Sequence, residues 1–488
     1  MPITPFGSFN PSGRSRISAS GYNTAYMYRD TLKAAFVLFL LVLAISVPVV
    51  ASGYSELEGA SGAASYVEMA AHYGNAARRI PWRADLDELA GHAYYHAKEY
   101  GLADSAYQKA FERNMLSPEG WMAWGDVNYL NDNPQRATEI WEQALGQENP
   151  SDQLYSRLAQ IAQNEGDYPK AAGYLARYVS DHLDDASARY RLGLLLTLSD
   201  PEKALSELMS ASQLDPRLDP AVQTLRTALN QASLSDSLSG RSVIIGRGLG
   251  LVQEWPLARA AFEEAVELDG QNAEAWAWLG EAIQHTGPSG GGSVELDQAL
   301  DLNPDSAVVR GLRGLHFQRT GNFRQALAEF QAAARLEPEN PAWLVSLGES
   351  HSKLGDLILA LEAYRTATRL APEDAGYWRL LAIFCAQNNV NVKDVGIPAA
   401  QKAVALARDD PASLDVLGWL LLLDARYEEA ERMLVRALEH DPAYAPAHLH
   451  LGMLHLQTDE RASAYDHLVQ ARDLGDSEAE MLLQQYFP

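Results

Sequence analysis

Gly280, Gly314 and Gly348 stand 34 residues apart, and Ala299, Ala333 and Ala367 keep the same step, as do Pro304, Pro338 and Pro372. Three residue types recurring in one register leave few folds open. A period of this length marks a chain built from one supersecondary unit, which cannot bury its apolar face alone and so stacks on its neighbours. Side chains as small as Gly and Ala let two helices approach closely, with large apolar residues filling the gaps beside them. Proline then opens the turn into the next unit.

The register runs in both directions. Gly91, Gly125, Ala159 and Gly193 continue it upstream, and Gly418 and Gly452 continue it downstream. Second-helix signatures accompany them at Ala103, Tyr107 and Ala110, at Ala137, Trp141 and Ala144, at Ala430, Ala437 and Pro442, and at Ala464, Leu468 and Ala471. The clearest copy is Gly314, Gly321, Ala326, Phe330, Ala333 and Pro338. These residues resemble the tetratricopeptide repeat, which has Trp, Leu and Gly in a first helix, Ala, an aromatic and Ala in a second, and then Pro. The resemblance implies an all-α fold, a right-handed α-solenoid of helix hairpins. Eleven units are expected from about Arg83 to Asp476. Residues 64–82 read as a lone half-repeat helix before them, and 477–488 as a C-terminal capping helix after them.

Departures from the period suggest boundaries. A first subarray is expected over 83–218 and a second over 241–476. Between them, 219–240 holds an extra helix and the break SLSDSLSG, the candidate hinge. The run GPSGGGS at 287–293 occupies an inter-helix turn and predicts a short helix after it, because glycine costs a helix about 1 kcal/mol relative to alanine. Residues 388–398 lengthen the ninth unit.

The other strong feature lies near the start. Residues 34–51 carry no charge and are mostly Leu, Ile, Val and Phe. As a helix they reach about 27 Å, close to the hydrocarbon thickness of a bilayer. A transmembrane helix over 31–52 follows, with Lys33 reaching out of it. Arg14, Arg16, Arg29 and Lys33 precede the segment, and the next basic residues are Arg78 and Arg79. The positive-inside rule then places the N-terminus in the cytoplasm and the repeats outside the cytoplasmic membrane. A cleaved signal peptide ending near Ala51 is the other reading. Residues 1–30, rich in Gly, Ser and Pro, are expected to be disordered, and 53–63 to form a flexible linker.

Composition narrows the chemistry. The net charge is −25, so phosphate backbones are repelled and nucleic acid is not an expected partner. The only cysteine, Cys385, excludes disulfide scaffolding and cysteine-rich metal modules, and it falls where the repeat wants a medium-sized buried side chain. No catalytic motif appears, so no enzyme activity and no cofactor are expected. The glycines of GRGLGL at 246–251 lack the strand and the Lys-Ser/Thr of a nucleotide loop. Glu88, His92 and His96 have the helical spacing of metal ligands, but the glutamate of an HExxH motif is missing, and a polar groove lining is the simpler reading. His448 and His455 sit at packing positions.

In the family this chain resembles, the first helices line a concave groove. At its ninth and twelfth positions the groove would be polar and aromatic at the front, with His92, Tyr95, Asp126 and Tyr129. Its last units would be apolar, with Trp419, Leu422, Leu449, Met453 and Leu456. That apolar patch has two readings: a partner peptide or a second copy of the chain seats there, or the tail helix with Met481, Leu482, Leu483, Tyr486 and Phe487 covers it. The family's clamp for acidic chaperone tails is absent, since the corresponding positions read Glu88/His92, Met122/Asp126 and Ser156/Gln160. Partner segments are therefore expected to be basic or apolar rather than acidic. The expected function is a membrane-anchored protein-interaction scaffold of the cell envelope. The alternative is an accessory subunit of a polysaccharide-synthesising glycosyltransferase or of a secretion complex.

Overall fold

The structure is a computed structural model that describes residues 20–288 and 290–487, with side chains from residue 31 onward. Residues 1–19 of the expected disordered tail and Ser289 of the glycine-rich turn lie outside the described residues. Among the described residues every regular element is helical, and the repeats form eleven helix hairpins, from Asp85–His96 with Tyr100–Glu112 to Ala445–Gln457 with Arg461–Asp473. The chain divides into two compact units, residues 1–188 and 189–488.

Local signals start the hairpins. Ser117, Ser237, Asn272, Ser306, Asn340, Asp374 and Asp410 each accept a backbone N–H at the beginning of a first helix, satisfying a donor the helix cannot use internally. Within most hairpins, a glycine of the first helix receives a large side chain from the second. Tyr107 lies on Gly91, Trp141 on Gly125, Phe262 on Gly246, Phe330 on Gly314 and Leu468 on Gly452. A Cβ added at Gly125 would stand 1.9 Å from Trp141 Nε1, so that position has no room for any side chain. Tyr107, Phe262 and Phe330 are fully buried, each contributing about 1.5–3 kcal/mol from removal of apolar surface from water.

The departures have packing reasons. Helix Ser293–Leu302 is short, as its glycines suggest, and Gly292 precedes it in the left-handed region with its Cα against the Gly280 backbone. The insertion forms the π-helical turn Val392–Gly396, which sets Gly396 on Cys385 and Leu420. The unit boundary at 188/189 does not coincide with the expected hinge at 219–240. Helix Asp219–Ser233 instead buries Val222, Leu225, Ala228, Leu229 and Ala232, and Ala228 fits against Gly248 of the next helix. This apolar stripe packs against the helix that follows it. The same contact explains GRGLGL, whose glycines lie inside helix Leu238–Leu251 and admit Phe262, Ala228 and Trp255.

The start of the chain also differs from expectation. One helix runs unbroken from Ser20 to Ser61, so residues 20–30 are not disordered and 53–61 are not a flexible linker. Helix Tyr66–Arg79 folds back along its end and supplies the reason. Gly59 lies on His72 and Gly53 on Ile80, while Glu56 pairs with His72 and Arg79. Val50 and Leu57 pack into a cluster with Ala76, Ala77, Ile80 and Leu86. Gly53 and Gly59, read as linker residues, are contact residues.

Gly125→Ala is expected to cost about 1–3 kcal/mol, because Trp141 must shift to admit a methyl group. Gly173→Ala, mid-helix with open space around it, should gain up to about 1 kcal/mol. Urea unfolding of both variants checks the pair, and equal effects would contradict the packing described.

Candidate partner-binding groove

Three successive first helices, Asp85–His96, Pro118–Leu130 and Gln153–Asn164, present their polar positions to one hollow. Tyr95, Asp126, Tyr129, Leu130, Ser156, Arg157, Gln160 and Ile161 line it, and Trp141 reaches in from a second helix. Its volume is about 370 Å³. Clefts of about 570 Å³ open at the inter-unit turns around 114–118 and 147–151 and beside the insertion at 394–402. Neither gathers the groove positions of successive repeats as the smaller hollow does.

The polar centre of the hollow is an ion pair. Arg157 donates from Nε and Nη2 to the two oxygens of Asp126 at 2.5 and 2.9 Å, a fork-to-fork geometry that fixes both side chains. The hydrogen bond to Asp126 raises the Arg157 pKa above its already high ordinary value. Asp126 therefore does not offer a free negative charge. Tyr95 and Tyr129 are half-buried and flank the pair, and Asn164 donates to the Tyr129 hydroxyl at 3.2 Å. Burial, followed by the nearby Asp126 charge, raises the Tyr95 pKa and keeps its hydroxyl protonated. Ser156 and Gln160 are exposed at the rim.

Arg157 had not been anticipated. It stands 31 residues after Asp126, and Asp410 stands 31 residues after Arg379, which it pairs at 2.5 Å. A charge at such an offset from an opposite charge lies across adjacent first helices, and that spacing is the signal that would have found it.

The possible metal ligands are not gathered. Glu88 accepts from the Ser117 backbone at 2.8 Å and from its hydroxyl, and lies 3.4 Å from His92 Nε2. His92 Nδ1 meets the Tyr107 hydroxyl at 2.8 Å, while the His96 ring lies against Tyr66 and Tyr95. No cluster of three or more His, Cys, Asp or Glu among the described residues is placed to hold a metal. Burial pushes the Glu88 pKa up, but hydrogen bonds from His92 and Ser117 outweigh it, and the net shift is downward.

The apolar patch of the last units is not open. Leu422 and Leu449 are buried, and Trp419 stacks on His450, which is hydrogen-bonded to buried Asp415 at 2.7 Å. Met453 and Leu456 pack in one cluster with Leu449, Leu468, Leu482, Leu483 and Phe487. The tail helix Ser477–Tyr486 thus packs on Leu449, Met453 and Leu456, the self-capping arrangement for that part of the patch, while Trp419 and Leu422 pack into the preceding cluster. Nearby, His448 lies 3.0 Å from His467, and burial together with His448 and His455 lowers the His467 pKa. Cys385 is a packed thiol, pushed up to about 11 by burial.

The sequence profile of the tetratricopeptide repeat family matches residues 156–221, 252–287, 312–375 and 346–411. Within those residues the chain carries tetratricopeptide repeats. Among solved structures it is similar to yeast Tom70, with 17% identity over 91% of this chain and 95% of that one and a TM-score of 0.41. It is also similar to a chain of the APC/C hetero-tetramer Cut9–Hcn1, with 16% identity over 87% and 94% and a TM-score of 0.40. A third similar structure is Pseudomonas aeruginosa pilF, with 20% identity over 44% of this chain and all of that one and a TM-score of 0.36. No curated protein matches the chain. The repeats account for the hollow, since successive first helices present equivalent positions side by side.

Two outcomes follow. Ser117→Ala removes the hydroxyl donor to Glu88 and also a helix cap. The hydrogen bond to a charged group is worth about 1.5–3 kcal/mol. A carboxylate with a lowered folded pKa contributes stability above its ordinary value and loses it as pH falls through the folded one. The destabilisation by Ser117→Ala should therefore be largest above pH 4.5 and shrink toward the smaller cap loss as Glu88 protonates, and a pH series of thermal melts checks this. Deleting residues 477–488 should expose Leu449, Met453 and Leu456 and cause self-association, measurable by sedimentation velocity.

Proposed function

We propose that this protein is a binding scaffold anchored in the cytoplasmic membrane by residues 34–51, which holds partner proteins outside the membrane through the groove of its first unit. One observation carries the reading: two tyrosines and a fixed Asp126–Arg157 pair converge with Gln160 and Ser156 in one hollow at the groove positions of three repeats. Such a site suits an extended segment. An apolar or basic side chain fits between Tyr95 and Tyr129, and the rim amide and hydroxyl meet its backbone. The net charge of −25 works against acidic partners.

Support for the anchor is chemical. Among the described residues one helix is long and apolar enough to cross a membrane, with a mean hydropathy of 2.8, and its apolar part is not buried in the fold. Basic residues precede it, so the N-terminus stays in the cytoplasm and the repeats face the cell envelope.

A photo-crosslinking phenylalanine analogue replacing Tyr129 in the full chain, expressed in membranes, tests the groove. Adducts should map to extended apolar or basic segments of other proteins. Tyr95→Asp combined with Gln160→Arg should abolish them without loss of helical circular dichroism. Adducts of undiminished yield in that double variant would reject the site.

A further inference from the structure

The way the chain returns along its first helix places a second contact. Moving down helix Ser20–Ser61 toward its apolar part, the partners on the returning helix appear in strict order. Gly59 meets His72, Glu56 meets His72 and Arg79, Gly53 meets Ile80, and Val50 joins the cluster that holds Ile80 and Leu86. Ile80 therefore lies level with residues 50–53, where the uncharged stretch 34–51 ends. At 1.5 Å per residue, Gly53 is only about 3 Å beyond Ala51 along the axis.

At that level the chain turns through Pro81 and Trp82 into Arg83. Trp82 is 57% exposed although it is among the largest apolar side chains, and Tyr54, one residue beyond Gly53, is 47% exposed. Arg78 is exposed and donates to the neutral Asn75 side chain, and Arg83 pairs with Asp85. Exposed tryptophan and tyrosine beside arginines, at the end of an apolar helix, is the composition of a membrane–water interface. Indole and phenol rings sit there with the apolar ring inward and the polar atom outward, and guanidinium groups reach phosphates.

We propose that the turn 78–83 is seated in the phospholipid headgroup layer of the membrane that residues 34–51 cross, with Trp82 and Tyr54 at the acyl boundary and Arg78 at the phosphates. The inference rests on the reading of 34–51 as a retained span. It assigns the fold-back helix a second role, because the hairpin it forms with the first helix sets the depth of the turn. The partner is a lipid surface; Arg79 and Arg83 are paired with Glu56 and Asp85, and Arg78 is the guanidinium that meets its phosphates.

The test uses the full chain reconstituted in phosphatidylcholine/phosphatidylglycerol vesicles, with acyl chains either plain or brominated near the carbonyl end. The emission of Trp82 is read as the difference between the parent protein and Trp82→Phe. Flotation after a carbonate wash reports the span independently. The expected result is a protein that floats, with the Trp82 share of the emission falling by about half in brominated vesicles while iodide in the aqueous phase leaves it unchanged. A floating protein whose Trp82 share responds to iodide and not to bromine overturns the turn proposal and leaves the span standing. Protein that does not float overturns both.

Discussion

Close contact between the two helices of each hairpin is the constraint on which the rest depends. Where Trp141 lies on Gly125 or Phe330 on Gly314, the large ring occupies the volume a side chain would have taken, so the hairpin closes around the residue that fills it. The alanines that keep the register in the second helices, such as Ala103, Ala110, Ala326 and Ala333, are buried and bring the next helix equally near. This fixed geometry decides where first-helix side chains point. The hollow at Tyr95, Asp126 and Arg157 follows from three such hairpins stacked in register.

Most of this was legible because each hairpin repeats the same small residues at the same places, and a glycine whose counterpart sits 34 residues away is hard to read as chance. Contacts made only once were harder. Gly53 and Gly59 looked like linker glycines because nothing in the period marks them, yet they receive Ile80 and His72. Helix Asp219–Ser233 interrupts the register, which suggested a joint, whereas its stripe of Val222, Leu225 and Ala228 is fully used in packing. The period registers regular spacing but carries no information about what an irregular segment touches.

The candidate site divides along the same line. Tyr95, Asp126 and Tyr129 line one hollow because equivalent positions of successive first helices face the same way. Arg157 was not anticipated, because pairing across neighbouring helices depends on side-chain reach rather than on position alone. Leu449, Met453 and Leu456 also sit at groove positions, and there Leu482, Leu483 and Phe487 of the tail pack against them. A position in the period states which way a side chain faces, and the neighbours decide whether anything else can reach it.

The unbroken helix Ser20–Ser61 has a mechanical consequence. A stretch of free coil would let the repeats tumble independently of whatever grips the apolar half. A helix buttressed by a second one, through Gly53, Glu56 and Gly59, carries torque instead. Rotation or tilt imposed on the apolar half is delivered to the hairpins of the first unit, so the direction in which that unit's groove opens is inherited from the orientation of the helix that enters it.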